Sequence, residues 1–408
     1  MTRGLATTCA LALAGSTTFC LDALPQDQSP DQPQEQNQNA PERTNAPLVL
    51  GLPVRITELP GRLTLPVIES AVIESDGWVF LLGGMTSDFT ATPAIQMRRP
   101  DGEWLPVGSQ MREARINPDA VKLSDGRILI WGGYGGSARD SLTPHLGGEI
   151  VQPKIAGDSV AITPPEGSAW TTPSPPKRLP DGTIGLIAQG SLHRFDLESH
   201  QWRPPEPLDP PLTAGTLDVL EDGTFIVCGT APEDEALVVM QRGSKESNWS
   251  TWPTSERVRA LGARSRPLGD GRLMLLGWPR EDGRPSPETL IVDPTRKTVE
   301  AGPELPFQGG IPTWLDATTV PGGVLVLASE QRSSDELATP TALFIRAEST
   351  GRLRPWRLNN LPQRRRPNIL SIGNGAIELF GGYRFSADGA SMTNGTSRVK
   401  YGTGLVGD

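Results

Sequence analysis

The sequence predicts an all-β protein: a seven-bladed β-propeller with four antiparallel strands per blade, closed by an N-terminal strand. Three observations lead to this prediction. A turn, strand and glycine pattern recurs along the chain, and its copies lie about fifty residues apart, a spacing typical of propeller blades. The last copy lacks one strand, which the segment before the first copy can supply.

The recurring pattern is clearest where Asp125-Gly126 is followed by an apolar run and then by Gly132-Gly133. Asp-Gly favours a tight hairpin turn, because glycine accepts a positive φ and aspartate bonds its own backbone. A short apolar run bounded by breakers favours a buried strand over a helix. In five copies a glycine falls seven residues after the turn residue, which is Asp76, Asp125, Asp222, Asp270 or Asn374.

The number of these turns predicts the number of blades. They fall at positions 76, 125, 181, 222, 270, 322 and 374. Two copies are degenerate, since Ala188 and Ser329 stand where the other copies have glycine. Seven turns at this spacing predict seven blades.

Tryptophans and prolines follow the strand pairs in a second regular pattern. Trp104, Trp202, Trp252 and Trp356 each precede a proline that leads toward the next repeat. Together with the turn, strand and glycine pair, this pattern resembles the kelch motif over residues 48–402. The resemblance implies a β-propeller but no single activity, because function resides in sites carried by a fold.

The ends of the chain predict how the ring closes. The seventh repeat, residues 364–402, has no tryptophan and Leu-Pro strand of its own. Residues 48–60 have that strand without a preceding turn and glycine pair. We therefore expect residues 48–60 to complete blade seven and to cover an exposed sheet edge.

The composition of the chain divides it into three segments. Residues 1–24 carry Arg3 and an apolar stretch at 5–21, which predicts a cleaved secretory signal that is too short for an integral membrane span. Residues 25–47 are rich in Pro, Gln, Asp and Asn and predict a disordered linker. Residues 48–408 form the single propeller domain, which we expect to be periplasmic, secreted or associated with the cell envelope. A lipid anchor at Cys20 is the alternative, although Thr17-Thr18-Phe19 matches a lipobox poorly.

Charge and residue counts limit the partners and cofactors. A formal net charge of −9 argues against nucleic acid as a partner. The three histidines, His145, His193 and His200, have no metal-ligand spacing, and we expect neither a metal nor a cofactor. If the signal is removed, Cys228 stands alone in a strand as a buried inert thiol. We expect a monomer.

Geometry predicts where a site could lie. With the strands of a blade named a to d from the channel outward, the b–c loops and the d–a links lie on the same face. Several b–c loops are long, namely residues 85–93, 134–148, 278–287, 330–340 and 383–394, and long loops on a rigid scaffold commonly bind ligands. The d–a links are rich in arginine and lysine, so a positive field at the channel mouth is expected. The candidate ligand-binding residues are Arg62, Arg115, Tyr134, Arg178, Arg259, Trp278, Arg366 and Tyr383.

These residues predict two alternative functions. A structural role for the arginines is the alternative to ligand binding. The first is a binding module for a protein or an acidic glycan. The second is a carbohydrate-active enzyme similar to the periplasmic sialic-acid mutarotases, which are kelch propellers with a charged mouth. No catalytic residue of that family matches a motif here, so the catalytic residues stay unknown. A third alternative is an envelope protein whose loops mediate assembly.

Overall fold

The structure is a computed structural model of the chain. It describes residues 51–401 apart from 53, 106–107, 154–158, 167, 169, 171–172, 213, 232–235, 258–262, 281, 308–310, 332–338, 348–350, 360, 362–363, 374 and 387–388. The predicted signal and linker, residues 1–47, lie outside the described residues.

The described residues form 34 strands and no helix. The N-terminal strands are β1 (Gly51–Leu52) and β2 (Val54–Glu58). Blade one holds β3 (Ala71–Ser75), β4 (Trp78–Leu82), β5 (Thr92–Arg98) and β6 (Ser109–Arg115). Blade two holds β7 (Asp119–Lys122), β8 (Ile128–Trp131), the hairpin β9 (Tyr134–Ser137) and β10 (Ser141–Pro144), β11 (Gly148–Val151) and β12 (Ser159–Ile162). Blade three holds β13 (Lys177–Arg178), β14 (Ile184–Ala188), β15 (Ser191–Asp196), β16 (Gln201–Trp202) and β17 (Glu206–Pro207).

The second half of the chain repeats the same plan. Blade four holds β18 (Ala214–Val219), β19 (Phe225–Thr230), β20 (Ala236–Arg242) and β21 (Ser250–Arg257). Blade five holds β22 (Arg264–Pro267), β23 (Leu273–Leu276), β24 (Thr289–Asp293) and β25 (Thr298–Ala301). Blade six holds β26 (Ile311–Val320), β27 (Gly323–Gln331), β28 (Thr339–Ala347) and β29 (Leu353–Leu358). Blade seven holds β30 (Asn368–Gly373), β31 (Ala376–Phe380), the hairpin β32 (Tyr383–Ser386) and β33 (Gly389–Met392), and β34 (Thr396–Tyr401).

The seven antiparallel sheets confirm the predicted seven-bladed propeller. In each blade the strands follow one another outward in sequence order from an innermost first strand, except that the N-terminal strands β1 and β2 are outermost in blades six and seven. The inner strands β3, β7, β13, β18, β22, β26 and β30 line a central channel. The ring is closed, because β30 of blade seven contacts β3 of blade one.

An N-terminal strand completes the last blade, as the sequence predicts. Strand β2 pairs antiparallel with β34, in register from Val54 opposite Tyr401 to Glu58 opposite Ser397. Glu58 also forms an ion pair with Arg364 at 3.2 Å. The preceding strand β1 pairs parallel with β29, so the same short segment also adds a fifth strand to blade six.

The core lies between the blades rather than at the centre of the molecule. Seven buried apolar clusters each join two neighbouring blades around the ring. In β19, Ile226 and Cys228 pack toward blade five, whereas Phe225 and Val227 pack toward blade three. Since successive side chains point to opposite faces and both faces are buried, the second strand of each blade is predominantly apolar, and its charged residues, Glu330 on β27 and Glu378 on β31, are buried with arginine partners. Burial raises the pKa of the Cys228 thiol, as expected of an inert thiol.

Candidate functional site

A cavity of about 390 Å³ lies at the end of the channel where the b–c loops and d–a links meet. We call it the loop-side cavity. It is lined by the first residues of the inner strands of blades one, two, five, six and seven and by the b–c loop of blade five. Its charged lining residues are Glu69, Asp119, Arg264, Arg266, Asp316 and Arg366.

Two arginines on one inner strand form one wall of this cavity. Arg264 and Arg266 lie two residues apart on β22, so their side chains leave the strand on the same face. Arg266 donates from Nε to the carbonyl of Ala317 (2.7 Å) and from Nη1 to its neighbour Ser265 (2.8 Å). These bonds fix its guanidinium plane, and Nη2 has no partner among the described residues. Burial lowers the pKa of Arg266, and the positive charge of Arg264 acts in the same direction.

The neighbouring ion pairs tie the inner strands together. Arg264 reaches Asp316 of blade six at 3.4 Å. Lys177 of blade three reaches Asp218 of blade four at 3.3 Å. Asp218 also accepts a hydrogen bond from the hydroxyl of Ser265. These contacts anchor the wall that presents Arg264 and Arg266.

Asp119 faces this wall from the start of β7 in blade two. Its half-buried carboxylate makes no hydrogen bond or ion pair with any other described residue. Burial raises its pKa, because the charged form loses hydration, while the charges of Arg264 and Arg266 lower it in part. A carboxyl group in this setting is a candidate acceptor for a ligand or a proton.

The rim next to Asp119 is built from strained backbone. Glu69, Asn117 and Arg366 precede the inner strands of blades one, two and seven with φ of 55°, 51° and 48°. Such left-handed conformations are costly for residues other than glycine, and they cluster at functional sites. The backbone N–H of Asn117 donates to the carbonyl of Glu69 at 2.7 Å, which couples two of these positions.

A buried ion pair completes the rim. Arg366 contacts Glu69 at 2.7 Å, and their side chains are only 7% and 6% exposed. The second carboxylate oxygen of Glu69, Oε2, is buried and has no hydrogen-bond partner among the described residues. This oxygen is shielded from solvent, so it is the ion pair with Arg366 that holds the Glu69 carboxylate in the rim.

A second chamber of about 500 Å³ continues the channel toward the a–b turns. It shares Asp119, Arg264 and Arg266 with the loop-side cavity and adds Lys122, Lys177 and Arg178. Lys122 contacts Asp76 at 3.4 Å, and Lys177 contacts Asp218. Asp76 and Asp218 are the counterions of these two lysines, so they reduce the net positive charge of this chamber.

The structure brings few of the sequence-predicted site residues together. Arg366 lines the loop-side cavity and Arg178 lines the second chamber. Arg62 is exposed and lines neither of these cavities, and Trp278 is buried in the core between blades four and five. Arg259 lies outside the described residues.

Arg115 lies buried between blades one and two. Its guanidinium donates to the carbonyls of Gly132 (2.5 Å) and Gly147 (3.1 Å) and contacts Glu113 at 2.6 Å. These contacts are the structural role that is the alternative to ligand binding for the arginines of the d–a links. Arg115 therefore clamps a neighbouring blade in this structure and does not line the cavity.

Tyr134 and Tyr383 begin the two hairpins that rise from blades two and seven. The b–c loops of blades one, two and seven pack around a small apolar cluster of Ile68, Met85 and Ile116. Phe89 of blade one stacks on Tyr383 with ring centroids 6.3 Å apart. The long loops thus form a joined rim on one side of the cavity.

Several cavity residues were not among the sequence candidates: Glu69, Asp119, Arg264, Arg266, Trp314 and Asp316. The signal that could have found them is charge within the inner strands themselves. Asp119 begins β7, and Arg264 and Arg266 alternate along β22. Charges on the inner strands mark side chains that reach the channel, where they can pair across blades or meet a ligand.

Neither a metal site nor a membrane helix occurs in the described part of the chain. No group of three metal-ligating side chains is found there. None of the described residues forms a helix long and apolar enough to cross a membrane.

Comparison with known proteins adds little. No family model matches the chain, and no curated protein matches it. The solved structure of YjhT aligns with it at a TM-score of 0.49 and 13% sequence identity, over 73% of this chain and 99% of that one. Similarity at this level carries no argument about function. The fold rests on the sheets described above, and membership of the kelch family stays a prediction.

Proposed function

We propose that this chain binds a small acidic ligand, an acidic sugar above all, in the loop-side cavity. The observation that carries the proposal is the pair Arg264 and Arg266, which line a cavity of about 390 Å³ from one inner strand. A cavity of this size falls within the range of about 300 to 1,000 Å³ typical of small-molecule sites. Arg266 is held in place by two carbonyls before a ligand arrives, which lowers the entropic cost of binding.

The chemistry of the lining favours a polyhydroxylated acid. Guanidinium groups bind carboxylates through paired, charge-assisted hydrogen bonds. Asp119 can accept hydrogen bonds from sugar hydroxyls. Trp314, which is half-buried in the wall, offers an apolar ring face. This combination supports the glycan part of the binding hypothesis, and a protein partner on the long-loop face stays a prediction.

We further propose that binding takes place outside the cytoplasm. The support is the apolar segment at residues 5–21 after Arg3 and the polar linker at residues 25–47. In an envelope-attached protein this linker would separate the propeller from the envelope. In a secreted protein it would leave the cell together with the propeller. We also propose, from its sequence pattern, that the domain is a kelch-type propeller. We propose as well that it is a monomer.

A second candidate function is proton transfer on the same ligand. The unbonded carboxyl of Asp119, whose pKa is raised by burial, has the properties of a general acid or base. A sugar bound beside it could open and close its ring faster, as the sialic-acid mutarotases achieve. Exchange spectroscopy on a sialic acid checks this, because it measures the rate at which the two anomers interconvert. If that rate is the same with and without the protein, proton transfer is excluded and binding is the function that remains.

The binding proposal is tested by calorimetry with glucuronic acid on the full chain. We expect Arg264→Gln and Arg266→Gln each to weaken binding about tenfold or more, because each removes a charge-assisted hydrogen bond donor. Arg266→Lys should recover only part of the affinity, since an ammonium group lacks the planar fork.

Arg62→Gln is the matched control, because Arg62 is exposed and does not line the cavity. We expect it to bind glucuronic acid like the unmodified chain. Thermal unfolding of every variant checks that the fold is retained. Unchanged affinity in both Arg264→Gln and Arg266→Gln would show that the acidic group binds elsewhere.

A further inference from the structure

The loop-side cavity holds one anion, Asp119, with no partner among the described residues, and one cation, Arg266, with no acidic partner among them. Six charged side chains line it, and four of them form two ion pairs: Glu69 with Arg366 at 2.7 Å and Arg264 with Asp316 at 3.4 Å. Asp119 makes no hydrogen bond or ion pair with the other described residues. Arg266 bonds only backbone carbonyls and keeps Nη2 free within the described part of the chain.

These two groups lie on opposite walls. Asp119 belongs to blade two and Arg266 to blade five, which are three blades apart in a ring of seven and so nearly face each other. The two side chains form no ion pair, yet the charge of Arg266 acts on the carboxyl of Asp119. A gap therefore separates an unpaired carboxylate from an unpaired guanidinium.

The wall beside Asp119 also holds the buried ion pair of Glu69 and Arg366. Oε2 of Glu69 is buried, and no described residue donates a hydrogen bond to it, although the Glu69 side chain is 94% buried beside Arg366. Glu69 and Asp119 start from adjacent blades, and the backbones of Glu69 and Asn117 are hydrogen-bonded to each other. Since the other charged side chains are paired, Asp119 presents a carboxylate on one wall of the cavity and Arg266 presents a guanidinium on the opposite wall.

We propose that the natural ligand is zwitterionic, with a carboxylate that binds Arg264 and Arg266 and an ammonium group that binds Asp119. This inference rests on the proposed function and narrows its ligand to small amino acids and amino sugar acids. A ligand with both charges supplies a counterion to each unpaired group. A ligand with the carboxylate alone satisfies Arg266 and places a second negative charge opposite Asp119.

The experiment compares sugars that carry both charges, one charge or none. Muramic acid has a carboxylate and an ammonium group, glucuronic acid has only the carboxylate, glucosamine has only the ammonium group, and glucose has neither. Calorimetry on the full chain should give muramic acid an affinity about tenfold or more above those of glucuronic acid and glucosamine. Glucose should bind most weakly.

Asp119→Asn distinguishes the role of the carboxylate from a general effect on the fold. This variant keeps the shape of the side chain and removes its charge. It should weaken binding of muramic acid and strengthen binding of glucuronic acid, because a repulsion is removed. Asp101→Asn, which changes an exposed aspartate of blade one, is the control and should alter neither affinity.

Three results overturn the inference. If glucuronic acid binds as tightly as muramic acid and depends on Arg264, the proposed function stands and the zwitterionic ligand is wrong. The same conclusion follows if Asp119→Asn weakens both acids equally. If neither acid binds the chain at all, the proposed function fails and this inference fails with it.

Discussion

At the scale of single residues, a buried charge cluster holds the first and last blades together. Glu378 on β31 is fully buried and contacts Arg98 of blade one and Arg398 of blade seven, the latter at 2.6 Å. The guanidinium of Arg98 also lies 5.4 Å from the ring centroid of Phe380 and 5.9 Å from that of Trp104. This cluster sits at the junction where the ring closes.

We expect Glu378→Ala to lower the free energy of unfolding by about 3 to 5 kcal/mol, because Arg98 is left buried without its counterion. Urea denaturation followed by tryptophan fluorescence measures this change. Glu103→Ala is the control, since Glu103 is exposed and pairs on the surface with Arg99. Such exposed pairs contribute about 0 to 1 kcal/mol. Equal destabilisation by the two variants would contradict a structural role for the buried cluster.

The lining of the loop-side cavity shows why the sequence led to only part of the candidate site. Arg366 was found because it belongs to a basic d–a link, and it does line the cavity. Asp119 and Arg266 were missed because their relationship exists only across the ring, between residues far apart in sequence. Arg115 matched the same local pattern as Arg366, yet its side chain turns to backbone carbonyls of the next blade. Local pattern gives a position on the blade and not the direction of a side chain.

At the scale of elements, the second glycine of the pair after the second strand makes room for the link that enters the inner strand of the same blade. Gly84 has a φ of 106°, and a Cβ at this position would lie 2.7 Å from the carbonyl oxygen of Ile68. Ile68 belongs to the link that enters the inner strand of blade one and exchanges backbone hydrogen bonds with Met85. The glycine pair is therefore required by close backbone approach as well as by conformation.

We expect Gly84→Ala to destabilise the protein more than Gly126→Ala. Both glycines have a positive φ, for which alanine costs about 1 to 2 kcal/mol. A Cβ on Gly126 would meet no atom within 4 Å, so Gly126→Ala reports the conformational cost alone. The difference between the two midpoints of thermal unfolding reports the clash with this link, where a Cβ at Gly84 would meet the Ser70 hydroxyl as well as the carbonyl of Ile68. If Gly126→Ala were as harmful as Gly84→Ala, close packing would not explain the glycine pair.

At the scale of the whole molecule, the fold was predictable because the same physical solution is used seven times. Each second strand is buried on both faces, so it is predominantly apolar, and each turn must reverse the chain tightly, so it favours Asp-Gly. Repetition makes these local signals visible even where blades three and six are degenerate. The loops and the inner-strand charges differ from blade to blade, and a signal that occurs once cannot be recognised by repetition.

Closure by the N-terminal segment is the feature on which the whole ring depends. Strand β2 covers the edge of β34 over its full length, and β1 extends blade six. Glu58 adds an ion pair with Arg364 and accepts a hydrogen bond from Ser397. Without this segment blade seven keeps three strands, and the backbone of β34 becomes an exposed edge open to pairing with another chain.

We therefore expect a chain that begins at residue 61 to unfold at a markedly lower temperature than one that begins at residue 48. The shorter chain should also form dimers or larger assemblies, because an exposed edge strand promotes intermolecular pairing. Thermal unfolding and size-exclusion chromatography with light scattering measure the two effects. The chain that begins at residue 48 controls for loss of the preceding residues and should match the full chain in both. Equal unfolding temperatures for the two shortened chains would mean that pairing of β2 with β34 contributes little to closure.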